Sequence, residues 1–254
     1  MARKRSFLSH SNPVLSEKTF QEVTPTPATD GPIVTAETER MTVAGAVNKS
    51  FLLGLLMLAT AVWSYLNPST TFLWLGALGG LGVVLLSVFK KEWSPWLAPL
   101  YAALEGLFLG TISAIYGGMY SGIVFQAITL TMAVFFAMLF LYKARIIVVT
   151  DRLRSGVIMA TAAIAIVYVV NLALSFFGIH MPFLHEGGLI GIGISLVIIG
   201  VAAMNLLLDF DFFEKGEQYG APAYMEWFAA MGLLITLVWL YVEILRLLSM
   251  LNRD

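Results

Sequence analysis

The chain has 254 residues, 59% of them hydrophobic and 12% charged, where a soluble domain carries about 45–50% and about 25%; so little charge excludes a soluble enzyme, a disordered chain and a nucleic-acid binder. Fifteen Lys and Arg against sixteen Asp and Glu give a net charge of −1, which leaves no overall basic field for a polyanion. Cysteine is absent, so disulfides, thiol nucleophiles and thiolate metal sites are excluded as well.

The composition is that of a membrane protein, and the chain divides accordingly. Residues 1–48 are polar and rich in Pro, Thr, Ser and Glu, without the basic, apolar and small-residue sequence of a signal peptide. A disordered polar tail is expected there. Residues 49–251 alternate long apolar runs with short polar breaks, and a span needs about 20 apolar residues. The first run, about 50–66, stops at Asn67-Pro68. The second, about 70–89, ends at Lys90-Lys91-Glu92 and carries Gly76, Gly79, Gly80 and Gly82, which suit close helix packing. The third opens at Pro95, a favourable first-turn residue, and reaches Tyr116. The others are about 123–142, 156–177, 187–208 and 223–251. These runs are twice the length of barrel strands and do not alternate. The expected fold is therefore an all-α integral membrane protein, a bundle of seven transmembrane helices.

Basic residues set the orientation. Arg3, Lys4, Arg5, Lys18, Arg40 and Lys49 precede the first span; Lys90 and Lys91 follow the second. Lys143, Arg145, Arg152 and Arg154 follow the fourth, and Lys215 follows the sixth. All fall on one side, where the rule puts the cytoplasm. The loops on the other side hold no Lys or Arg, so the N-terminus is expected inside and the C-terminus outside. A last segment that dips and returns would place Arg253 inside.

An ionisable group at the bilayer centre costs on the order of 3 kcal/mol and marks a candidate site. Glu105 lies ten residues after Pro95, about 15 Å into the third helix. Asp209 closes the sixth run, one turn beyond Asn205, and the two are expected on one face. Glu243 and Arg246 interrupt the last span three residues apart, and Asn171 lies deep in the fifth. Plainer readings exist for each. Glu243 and Arg246 would merely neutralise one another, Asp209 would be a solvated helix-end acid beside Asp211, Glu214 and Glu217, and Glu105 a protonated acid bonded to backbone. Other chemistry is weakly signalled. His180 and His185 lack helical spacing and a third ligand for zinc, Ser113 and Ser175 lack a base, and the glycines of 188–195 read as a small-residue packing face, because no strand precedes them. No enzyme activity is expected.

Three strings in this order, ALEGLFLGTIS in the third helix, NLLLDFDFFEKGE at the end of the sixth and LYVEILRLL in the seventh, resemble the Bax inhibitor-1 family, also called TMBIM or YccA-like. The likeness covers about residues 45–251 and is nearest to bacterial members with a long polar N-terminus. It implies six helices around a central seventh, in a bacterial inner membrane. It also implies a pH-sensitive calcium leak channel gated by an acid pair that shares a proton. By motif the pair is Asp209, with Asp211 as fallback, and Glu243, where the family more often has Asp; these would also hold Ca²⁺ in passing. Glu105 falls on the family's EG position. Some relatives latch the pair with an arginine from another helix, which is missing here unless Arg246 substitutes. Calcium and protons are the expected partners besides lipid, with Ca²⁺ as transported ion and no cofactor. A second reading is a regulator that binds a membrane protease or other membrane complex through the tail and the acidic 209–217 stretch. A third, a proton-coupled carrier, finds no inverted repeat in support.

Two carboxylates within about 4–6 Å cannot both ionise cheaply. Counting along the helices leaves the pairing open. Asp209 falls near the cytoplasmic face and Glu243 about 25 Å in from Glu226, so they meet only if 221–231 project from the membrane or the sixth helix tilts or breaks near Asn205.

Overall fold

The computed structural model describes residues 40–175 and 188–252. They form seven helices: α1 (Val43–Leu66), α2 (Thr70–Phe89), α3 (Ser94–Met119), α4 (Ile123–Lys143), α5 (Asp151–Ser175), α6 (Leu189–Gln218) and α7 (Tyr224–Leu251). All seven are long and apolar enough to cross a membrane, so this is a multi-pass membrane protein. The tail before Arg40, the end of the expected fifth span, His180, His185 and Arg253 lie outside the described residues.

Local chemistry explains where helices begin and end. The hydroxyl of Thr42 caps α1 by accepting from the Gly45 N–H at 2.9 Å. The helix thus starts at Val43 rather than Ser50, and residues 43–48 belong to the bundle instead of the tail. Ser69 caps α2 in the same way. A 3₁₀ turn, Lys91–Trp93, and Pro95 start α3. Gly122, at φ 78°, makes the tight turn into α4. Thr150 accepts from Leu153 N–H and Asp151 occupies the first turn of α5, which moves its start from the expected Gly156 to Asp151. Helix α6 runs to Gln218, beyond the expected end at Leu208. Phe210, Phe212 and Phe213 remain buried through the acidic stretch and give it an apolar face to pack.

Helix α7 is central. Buried residues make up 72% of its most apolar stretch, against 6–39% in the other six helices. It packs against α1, α3, α4 and α6; α2 lies outside α3, and α5 has α6 as its principal neighbour. Close approach comes from glycines. A Cβ on Gly106 or Gly110 of α3 would lie 2.3 Å from the Met57 carbonyl oxygen or 2.1 Å from that of Ala61 in α1. Gly76 and Gly80 of α2 meet α3 similarly, and Gly79 touches Leu104. Gly82 meets nothing within 4 Å, contrary to the expectation that all four pack.

Candidate functional site

Among the described residues, the buried carboxylates, Asp209, Glu226 and Glu243, all lie on α6 and α7. Asp209 is 5% exposed and Thr236, on α7, 7%. The Thr236 hydroxyl lies within hydrogen-bonding reach of Asp209 and also 3.4 Å from the Gly232 carbonyl oxygen. Asp209 Oδ2 is buried without a hydrogen-bond partner, and Leu206, Leu207 and Phe210, its near neighbours in sequence on α6, and Leu233 on α7 are buried. A buried polar oxygen left unpaired costs about 1–3 kcal/mol, and more if it is charged. Asp209 is therefore not a solvated helix-end acid. Asn205, one turn away, turns to a different neighbour: its amide donates to Thr161 of α5 at 2.7 Å and to the Val201 carbonyl at 2.9 Å. The face expected to be shared by Asn205 and Asp209 is thus divided between α5 and α7.

Glu243 is 2% exposed, and both its oxygens are engaged. Ser195 of α6 donates to Oε1 at 2.7 Å and Tyr168 of α5 to Oε2 at 2.8 Å. Arg246 donates to Oε1 at 3.3 Å and to the Tyr168 hydroxyl oxygen at 2.9 Å. The i,i+3 ion pair is real, and it also ties α7 to α5 through Tyr168. Three donors on one carboxylate, one of them the Arg246 cation, compensate for burying Glu243 in an apolar bundle. The Tyr168→Phe protein is expected to unfold with about 1–3 kcal/mol less stability, because Oε2 loses its donor and Arg246 an acceptor. Thermal unfolding in detergent measures this, and an unchanged melting point would show that Tyr168 contributes nothing to the cluster.

The structure does not bring Asp209 and Glu243 together. Their hydrogen bonds go to different residues, and Thr236, which meets Asp209, is seven residues before Glu243, about 10 Å along α7. Asp211, the fallback, forms ion pairs with Arg154 of α5 and, at 3.4 Å, with Lys215. Glu105 is half-buried between α3 and α2, its Oε2 only 2.4 Å from where a Cβ on Gly80 would stand, and it joins neither acid. Asn171 Oδ1 is buried without a partner, one turn from Tyr168. Among the described residues, no three His, Asp or Glu side chains converge as metal ligands. Gly193 meets nothing within 4 Å and lines an apolar crevice with Ala163, Val167 and Tyr168, so at this position the expected packing face of 188–195 is a gap.

Sequence reasoning missed two polar contacts. Ser113 of α3 and Tyr241 of α7 share a hydrogen bond at 2.7 Å. Glu226, in the first turn of α7, is 6% exposed and takes donors from Thr42 and Lys49 of the α1 region. The usable signal was an acid at the start of the helix that the family likeness places at the centre.

A family model described as Bax inhibitor 1 like matches residues 12–253. The match takes in all seven helices and extends well into the segment before them, beyond the 45–251 read from the motifs. Comparison with curated proteins gives no match.

Proposed function

Because the chain belongs to the Bax inhibitor 1 like family, we propose that it is a pH-sensitive calcium leak channel whose proton-responsive gate is Asp209 at the α6–α7 contact. The observation that carries this reading is the buried carboxyl with one oxygen unpartnered. With its proton, Asp209 is a neutral group that fits between apolar side chains and lets α6 and α7 close. Without it, a bare charge is left that only water or a cation can satisfy. Opening as pH rises follows from that choice. A carboxylate and a threonine hydroxyl are hard oxygen ligands suited to Ca²⁺, and so few of them leave the ion partly hydrated. Such weak binding favours passage down the gradient over retention.

In this reading Thr236 stands opposite the helix-six acid where a shared-proton gate would need a second carboxylate. Glu243, already paired with Arg246, is a second polar station on the pathway and not the proton-sharing partner. The membrane is proposed to be a bacterial inner membrane, with the end bearing Lys49, Arg154 and Lys215 in the cytoplasm. Purified protein in liposomes with a calcium dye inside tests the activity. Calcium uptake above that of protein-free liposomes, rising from acid to alkaline pH, is expected; uptake equal to the protein-free control at every pH would refute the reading.

A further inference from the structure

Residues 40–49 do more than lead into α1. Four hydrogen bonds and one ion pair attach them to the end of α6, the α6–α7 turn and the start of α7. Met41, 1% exposed, donates its N–H to the Ala221 carbonyl at 2.6 Å, and Arg40 forms an antiparallel bridge with Pro222. The Val43 N–H donates to Glu217 at 3.1 Å. Glu226 accepts from the Thr42 N–H at 2.8 Å and from its hydroxyl at 3.0 Å, and forms an ion pair with Lys49. The Lys49 ammonium also lies 5.3 Å from the Trp227 ring centroid. The Glu226 carboxylate sits so close over Gly45 that a Cβ there would be 2.1 Å from Oε1. Helix α1 has no acid in its own first turn, so an acid on α7 supplies the negative charge that its N-terminus favours.

We propose that Glu226 is a positioning residue that makes 40–49 a clamp on α7, fixing the start of α7 and with it the α6–α7 contact at Asp209. While the clamp is docked, the start of α7 is fixed to α1, and Thr236, ten residues further along, is held against Asp209. Release lets α7 shift away from α6. The clamp holds α7 against α6 and so favours the closed contact, and its release lets calcium pass more readily at a given pH. The effect on flux rests on the conduction reading above; the effect on α7 itself does not.

The test uses the full chain in lipid nanodiscs and liposomes. Thr42→Val with Lys49→Met removes the Thr42 hydroxyl and the ion pair without touching a buried apolar side chain. It is expected to speed amide exchange at residues 41–43 and around Thr236, and to raise calcium flux at fixed pH about tenfold, within the usual 5–150-fold range of coupling. Because the chain has no cysteine, Arg40→Cys with Pro222→Cys allows a disulfide to be closed and reopened at the bridge, where antiparallel Cα spacing of about 4.5–5.5 Å suits it. Oxidation is expected to suppress flux and a reductant to restore it. Unchanged exchange around Thr236 in the Thr42→Val, Lys49→Met protein overturns the clamp. So does faster exchange with unchanged flux where the wild type conducts. If the wild type passes no calcium, the conduction reading falls alone and exchange around Thr236 still decides the clamp.

Discussion

The Gly110→Val protein is expected to lose at least about 3 kcal/mol of stability and to melt about 10 °C lower in detergent. A Cβ at position 110 would stand 2.1 Å from the Ala61 carbonyl oxygen and 2.8 Å from the Ser64 Cβ. The obstacle is largely backbone, which cannot rotate aside as a flexible side chain would. Helices α1 and α3 must therefore separate. Separation also strains the Ser64 hydroxyl's bonds to the Leu107 carbonyl at 2.7 Å and to Thr111 at 2.6 Å, each worth about 1 kcal/mol. Gly106, one turn earlier, has the same contact with the Met57 carbonyl and completes a small-xxx-small face of the kind that lets membrane helices approach. Gly82→Ala is the control, since nothing lies within 4 Å of the added Cβ. Equal melting temperatures for the two proteins would contradict the packing described for α1 and α3.

Asp209→Asn is expected to leave the fold intact and to remove the pH dependence of calcium flux. The amide matches the protonated acid in shape, can still accept from Thr236, and has no proton to lose. Flux should stay at its acid-pH level throughout, which at alkaline pH means a fall of about tenfold or more if the gate has the usual coupling strength. A pH response in this protein equal to that of the wild type would remove Asp209 from the mechanism. A collapsed melting temperature would instead indicate that the carboxyl is a structural requirement.

The seven spans were legible because the bilayer demands long apolar runs, and the polar breaks at Asn67-Pro68, Lys90-Lys91 and Tyr142-Lys143 interrupt them cleanly. The centrality of α7 was not legible from apolarity. It is no more apolar than α2, α4 or α6, since side chains facing lipid are as hydrophobic as those facing protein. That feature entered through the family likeness. The α6 helix was cut short because Asp209 and Asp211 were read as its polar end, whereas Phe210, Phe212, Phe213 and Gly216 continue its buried face and the helix runs nine residues past Asp209, to Gln218. That extension sets the level at which Asp209 meets α7. Helix-rise counting without it could not decide whether Asp209 and Glu243 meet. Glu226 was passed over because an acid in a first turn is ordinarily a solvated one, and only the folding of 40–49 across the α6–α7 turn buries it.

The central claim is that Asp209 alone gates, with Glu243 a separate station already neutralised by Arg246. Calcium uptake by liposomes bearing the wild type, Asp209→Asn or Glu243→Gln, followed from acid to alkaline pH, tests it most directly. The account predicts a flat profile for Asp209→Asn and, for Glu243→Gln, a changed flux that still rises with pH. Loss of the pH response in both proteins would establish a shared-proton pair and contradict it.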